Sequence, residues 1–115
     1  MPRPQKSDTS FDTFQQLGIR TGTIIAAEEF PEARQPAYKL TIDFGELGTK
    51  QSSAQITDLY SPEDLENTQI IAIVNFPPKQ IGPFLSEVLV LGNETDDGVV
   101  LLRPDSPVPN GAVVY

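Results

Sequence analysis

The stretch Tyr38-Lys39-Leu40-Thr41-Ile42-Asp43-Phe44 decides how this chain folds. Large apolar residues stand at every second position and polar ones lie between them. Side chains of a strand point alternately to opposite faces, so a period of two predicts one buried face and one wet face. Upstream, Ile19 to Phe30 is a second strand candidate, rich in Thr and Ile, with Gly22 suggesting a bulge or bend. Pro31 to Pro36 is a polar turn between the two. Downstream, Gly45 to Thr49 is a hairpin-type connection with two glycines, and Lys50 to Ile56 is a third strand, unusually polar.

Helical signals are few. Asp8 or Ser10 can cap a short helix in which Phe11, Phe14 and Leu17 share one face and Gly18 ends it. The two rings would lid one end of a barrel or meet a second subunit. Ser61-Pro62-Glu63-Asp64 reads as a second helix start: a cap, a proline in the first turn and two acids at the positive end of the dipole, with Asn67 to end it. Gln69 to Val74 is nearly continuous in apolar residues, which predicts a strand buried on both faces. Three prolines between Asn75 and Phe84 predict a loop, followed by a strand from Leu85 to Leu91. Asp96-Asp97-Gly98 is a turn into Val99 to Leu102, and Ala112 to Tyr115 can add a last strand. Five or more short strands, punctuated by 11 prolines and 8 glycines, predict an all-β fold, a small antiparallel barrel or sandwich.

The chain of 115 residues has the length of one domain, with residues 1–10 expected as a flexible tail and 11–115 as the domain. There is no cysteine and no histidine. Disulfides, thiolate metal sites and the usual base of a serine nucleophile are therefore excluded. No apolar run reaches the ~18–20 residues of a membrane span, and no signal sequence is expected at the N-terminus. These features predict a cytoplasmic protein with no cofactor and no catalytic role. Glu28 and Glu29 are adjacent on a strand, face opposite ways and make no catalytic pair. A net charge of −8 gives poor long-range attraction to phosphates, so any nucleic-acid site must be a local basic cluster.

Two stretches carry more than structure demands. Lys50-Gln51-Ser52-Ser53-Ala54 puts hydrogen-bonding side chains in a row; they would line a groove, or keep an edge strand polar against aggregation. Asn75 to Phe84 gathers Phe76, Pro77, Pro78, Lys79, Ile81 and Phe84 on one segment. They would form a recognition surface, fold back onto the barrel or bury in a dimer seam.

The order of Ile19–Ile24, Phe30–Arg34, Ala37–Gly45, Gln51–Ile56, Val74–Lys79 and Ser86–Gly92 resembles the tRNA-binding domain family, and from about Phe11 onward its export-related chaperone branch. The resemblance implies an OB-fold, a five-stranded barrel with N- and C-terminal extensions, assembled as a homodimer. It implies tRNA as one partner and unfolded precursor polypeptides as another. Carried over by position, Lys39, Ser52, Ser53, Asn75, Lys79 and Ser86 would serve tRNA, with Lys50 and Arg20 extending a basic patch. Phe76, Pro77, Pro78, Ile81 and Phe84 would serve peptide. The chain departs from related domains at Lys79-Gln80, where two adjacent basic residues are common, and at Val88-Leu89, where Gly-Met is common. The leading expectation is a non-enzymatic export chaperone with tRNA-binding capacity; the alternative is a structure-specific tRNA binder acting in translation.

Overall fold

A computed structural model describes residues 3–115. The expected tail begins with Met1 and Pro2, which lie outside the described residues. From Arg3 to Ser10 the chain is exposed and without regular structure, and the Arg3 guanidinium donates two hydrogen bonds of 2.9 Å to the Glu94 carboxylate. Those bonds hold Glu94 below the usual carboxylate range.

Helix α1 (Phe11–Gln15) is capped by Ser10, whose hydroxyl accepts from the Thr13 amide. Strand β1 (Ile19–Glu29) then runs through the whole sheet. Its first half pairs with β4 (Gln69–Ile73) and its second half with β2 (Tyr38–Asp43), both antiparallel. Strand β3 (Thr49–Ala54) pairs with β2, and β7 (Leu89–Val90) with β4, giving the order β3-β2-β1-β4-β7. The outer strands approach each other through residues 86–88, so the sheet is a nearly closed five-stranded barrel of OB type. The expected all-β OB-fold stands.

The alternation of β2 does what its period requires: Tyr38, Leu40 and Ile42 are buried, and Phe44 continues the inner face with no exposed surface. Ile24, Leu65 and Ile70 join them in one core. The bulge falls elsewhere than expected. Register shifts between Ile24 and Ala26, which leaves Ile25 as the extra, exposed residue. Gly22 serves a different need, close approach: a Cβ there would lie 2.7 Å from Ile42 and 2.8 Å from the Phe44 ring. In α2 (Pro62–Leu65) the expected cap is a full capping box between Ser61 and Asp64, and Asn67 ends the turn at φ 66°.

The segment from 75 to 91 departs most from expectation. In place of a loop and then one long strand, β5 (Lys79–Ile81) and β6 (Phe84–Ser86) form a hairpin. The prolines permit this because none takes a position inside a ladder: Pro77 and Pro78 precede β5, and Pro83 sits in the turn beside Gly82. Beyond β6, Glu87 and Val88 leave the hairpin to meet β3, which breaks the expected strand in two. A second hairpin, β8 (Gly92–Thr95) and β9 (Gly98–Leu101), turns at Asp96-Asp97 as expected. The last residues add only a short bridge, Arg20 to Val113, flanked by backbone bonds between β1 and residues 111–114.

Candidate binding surface

The outward face of β3 carries the site. Register places Lys39 of β2 opposite Ser53 of β3. The Ser53 amide donates to the Ser86 hydroxyl at 3.0 Å, and Ser86 lies opposite Lys79 across the β5–β6 hairpin. Four sequence-predicted residues thus form one row, Lys39, Ser53, Ser86 and Lys79, one from each of β2, β3, β6 and β5. A cleft of about 550 Å³ opens beside this row, between the end of β3, the Phe76-Pro77 segment and residues 86–90. A second cleft of about 490 Å³ lies across the row, against residues 32–37. Ser53, Gln55, Lys79 and Ile81 border both.

Several residues expected to touch a ligand are committed to the fold instead. Ser52 has no exposed surface, and its hydroxyl donates to the Val88 carbonyl at 3.0 Å, because alternation turns it inward. Asn75 clamps the end of the helical segment: its Oδ1 accepts from the Gly18 amide at 2.7 Å and its Nδ2 donates to the Gln16 carbonyl at 2.8 Å. The Ser86 hydroxyl is occupied by the Ser53 amide. Arg20 donates to the Gly111 carbonyl and holds the C-terminal segment. Lys50 shares the alternation of Ser52 and lines neither cleft. Lys39 is 3.2 Å from Glu28 and 5.5 Å from the centroid of the Phe30 ring, so part of its charge is answered within the protein.

The apolar set divides in the same way. Phe84 is only 9% exposed and packs edge to face on Phe30 at 5.2 Å, with Ile81 against the pair. These two fold back and anchor the hairpin. Phe76 keeps 44% of its surface, and Pro77 and Pro78 are exposed beside it. Gln55, Ile56, Glu87, Val88 and Val99 also line the first cleft, and none of them is a binding residue in the sequence reading. Gln55 was findable, since it repeats the outward parity of Ser53. Val99 was not, because it arrives from a distant hairpin.

Replacing Asn75 with Ala removes both clamps and leaves an amide and a carbonyl without that partner. We expect a loss of about 1–2 kcal/mol in urea unfolding. A variant of unchanged stability that has lost a ligand would return Asn75 to the binding face.

Residues 19–113 match the family model described as a putative tRNA binding domain. The crystal structure of chaperone CsaA from Bacillus anthracis is similar with a TM-score of 0.90 and 55% identity, covering 95% of this chain and 100% of that one. CsaA chaperone protein from Picrophilus torridus gives 0.89 and 51%, covering 94% and 100%. Methionine–tRNA ligase of Methanothrix thermoacetophila is 33% identical over 107 residues, 93% of this chain but only 16% of the ligase.

Proposed function

Because the chain belongs to the tRNA-binding domain family and has CsaA chaperones among its relatives, we propose that it is a non-catalytic module that holds unfolded precursor polypeptides in the cytoplasm before export. One observation carries this reading: the larger cleft is lined mostly by apolar side chains, among them Ile56, Phe76, Val88 and Val99, with a single lysine balanced by a single glutamate. Such a wall suits an extended chain with apolar side groups better than a polyanion. Residues 11–115 are the binding domain in this reading, and 1–10 a tail outside it. A homodimer would present the cleft twice, and two weak sites joined in one object hold a flexible chain far better than one.

Ser53 and Lys79 on the border of the same cleft, with Lys39 opposite Ser53 on the next strand, favour a second capacity, the binding of tRNA. With so few free cations the salt slope would be shallow, about two log units or less per decade for two phosphate contacts.

Both are tested with the purified protein. It should slow the aggregation of a chemically denatured client at equimolar dimer, and tRNA should shift weakly in a gel at low salt and be lost at higher salt. Failure to delay aggregation overturns the chaperone reading, and a tight, salt-steep tRNA complex would replace it with the translation alternative.

A further inference from the structure

Strand β3 has an edge that closes the barrel in an unusual way. One side of it is an ordinary antiparallel ladder with β2. On the other side, the Gln51 amide donates to the Glu87 carboxylate at 3.0 Å and the Ser53 amide to the Ser86 hydroxyl at 3.0 Å. Among the described residues only one backbone bond crosses there, from the Glu87 amide to the Gln51 carbonyl at 2.8 Å. Side chains therefore stand where strand partners would.

Antiparallel pairing uses alternate residues on each edge, so Gln51 and Ser53 face this side, and Gln55, one residue past the end of β3, continues their parity. At Gln55 the substitution of side chain for strand stops. Among the described residues its N–H and C=O have no hydrogen-bond partner, and the residue is exposed where the two clefts meet. A backbone donor and acceptor left open on a strand edge form a template for another strand. We propose that an extended polypeptide segment binds as an added strand on this edge, pairing with both backbone groups of Gln55. Alternate side chains would then enter the apolar cleft beside Ile56 and Val88.

The occupant follows from charge as well as geometry. The charged groups lining the two clefts balance, Glu32 and Glu87 against Arg34 and Lys79, within a chain of net charge −8. A polyanion finds no net attraction, while a neutral backbone offers the matching donor and acceptor. This inference rests on the polypeptide reading above and specifies how the segment is held.

The probe is a ten-residue peptide of alternating valine and lysine, with two isomers N-methylated on every valine or on every lysine. Side chains and charge are the same in all three, but each isomer loses the N–H groups of one edge. With valines in the cleft, one isomer should bind at least about tenfold more weakly than the parent and the other like the parent. Amide hydrogen exchange of Gln55 should slow when the parent binds. If the parent binds, yet both isomers match it and Gln55 exchange is unchanged, edge pairing is overturned and the polypeptide reading survives. If the parent does not bind, and the full chain fails to delay client aggregation as well, both fall together.

Discussion

Replacing Phe44 with Ala should lower the free energy of unfolding by about 3–5 kcal/mol, the range for emptying a buried aromatic site. That is a large part of the ~5–15 kcal/mol that holds a domain of this size together. The ring has no exposed surface and belongs to the main core. Its surroundings also resist collapse. The Phe44 amide donates to the Gly48 carbonyl at 3.0 Å, and its carbonyl lies so near Gly111 that a Cβ there would approach it to 2.5 Å. A backbone held on both sides cannot move in to fill the void. Gly22 supplies a second arm to the experiment. Gly22→Ala alone presses a methyl group into the Phe44 ring and into Ile42. In the Phe44→Ala background half of that clash is gone, so the two losses should add to less than their sum. Urea unfolding of the two single variants and the double variant measures this. A loss below about 1 kcal/mol for Phe44→Ala, or strict additivity with Gly22→Ala, would mean that this packing does not sustain the barrel.

Residue spacing was a good guide to the barrel and a poor one to its seam. The inner face of β2 is legible from its alternation alone, because burial of every second residue is a local consequence of strand geometry. The Ser61–Asp64 capping box is legible for the same reason, since all of its partners lie within four residues. The bulge was misplaced because two causes compete for a glycine in a strand. Gly22 is small to admit Phe44, which is 22 positions away, and nothing local distinguishes that from a kink. The β5–β6 hairpin was hidden by its prolines, which forbid a ladder only where an N–H is required.

The site was half legible. Lys39, Ser53 and Lys79, expected from the family resemblance, and Phe76, expected from the apolar segment 75–84, lie on or beside the candidate surface. Ser52, Asn75 and Ser86 are polar residues in the same stretches but answer backbone groups. A side chain used internally and one kept for a ligand look the same in a sequence. The difference depends on which orphaned donors the fold brings near, and that is decided by strands far apart in the chain. Of the two meanings offered for the polar β3, a groove or a protected edge, the structure favours the groove and adds a third use inside the seam. Its outward residues border a groove, and its inward serine satisfies a carbonyl in the seam.

Phe76 is the residue where binding should separate most cleanly from stability. It is large, 44% exposed and lines the apolar cleft beside Pro77. It belongs to neither buried cluster, so its truncation opens no cavity. Pro77 and Pro78 follow it directly and stiffen the segment that presents it, which lowers the entropy lost when a ligand orders the ring. An aromatic anchor of this kind carries about 2 kcal/mol or more of a binding energy, or about thirtyfold in affinity. Phe76→Ala should therefore weaken peptide binding by about thirtyfold and shift urea unfolding by less than about 0.5 kcal/mol. Phe84→Ala is the counterpart. It empties the contact with Phe30 and frees the hairpin, so it should cost about 3 kcal/mol and lose binding only through the fold. Lys79→Ala completes the set by telling ligands apart: it should leave a neutral apolar peptide nearly unaffected and reduce tRNA retention at low salt. Equal losses of peptide binding at Phe76 and Lys79 would move the peptide out of the apolar cleft and onto the polar row.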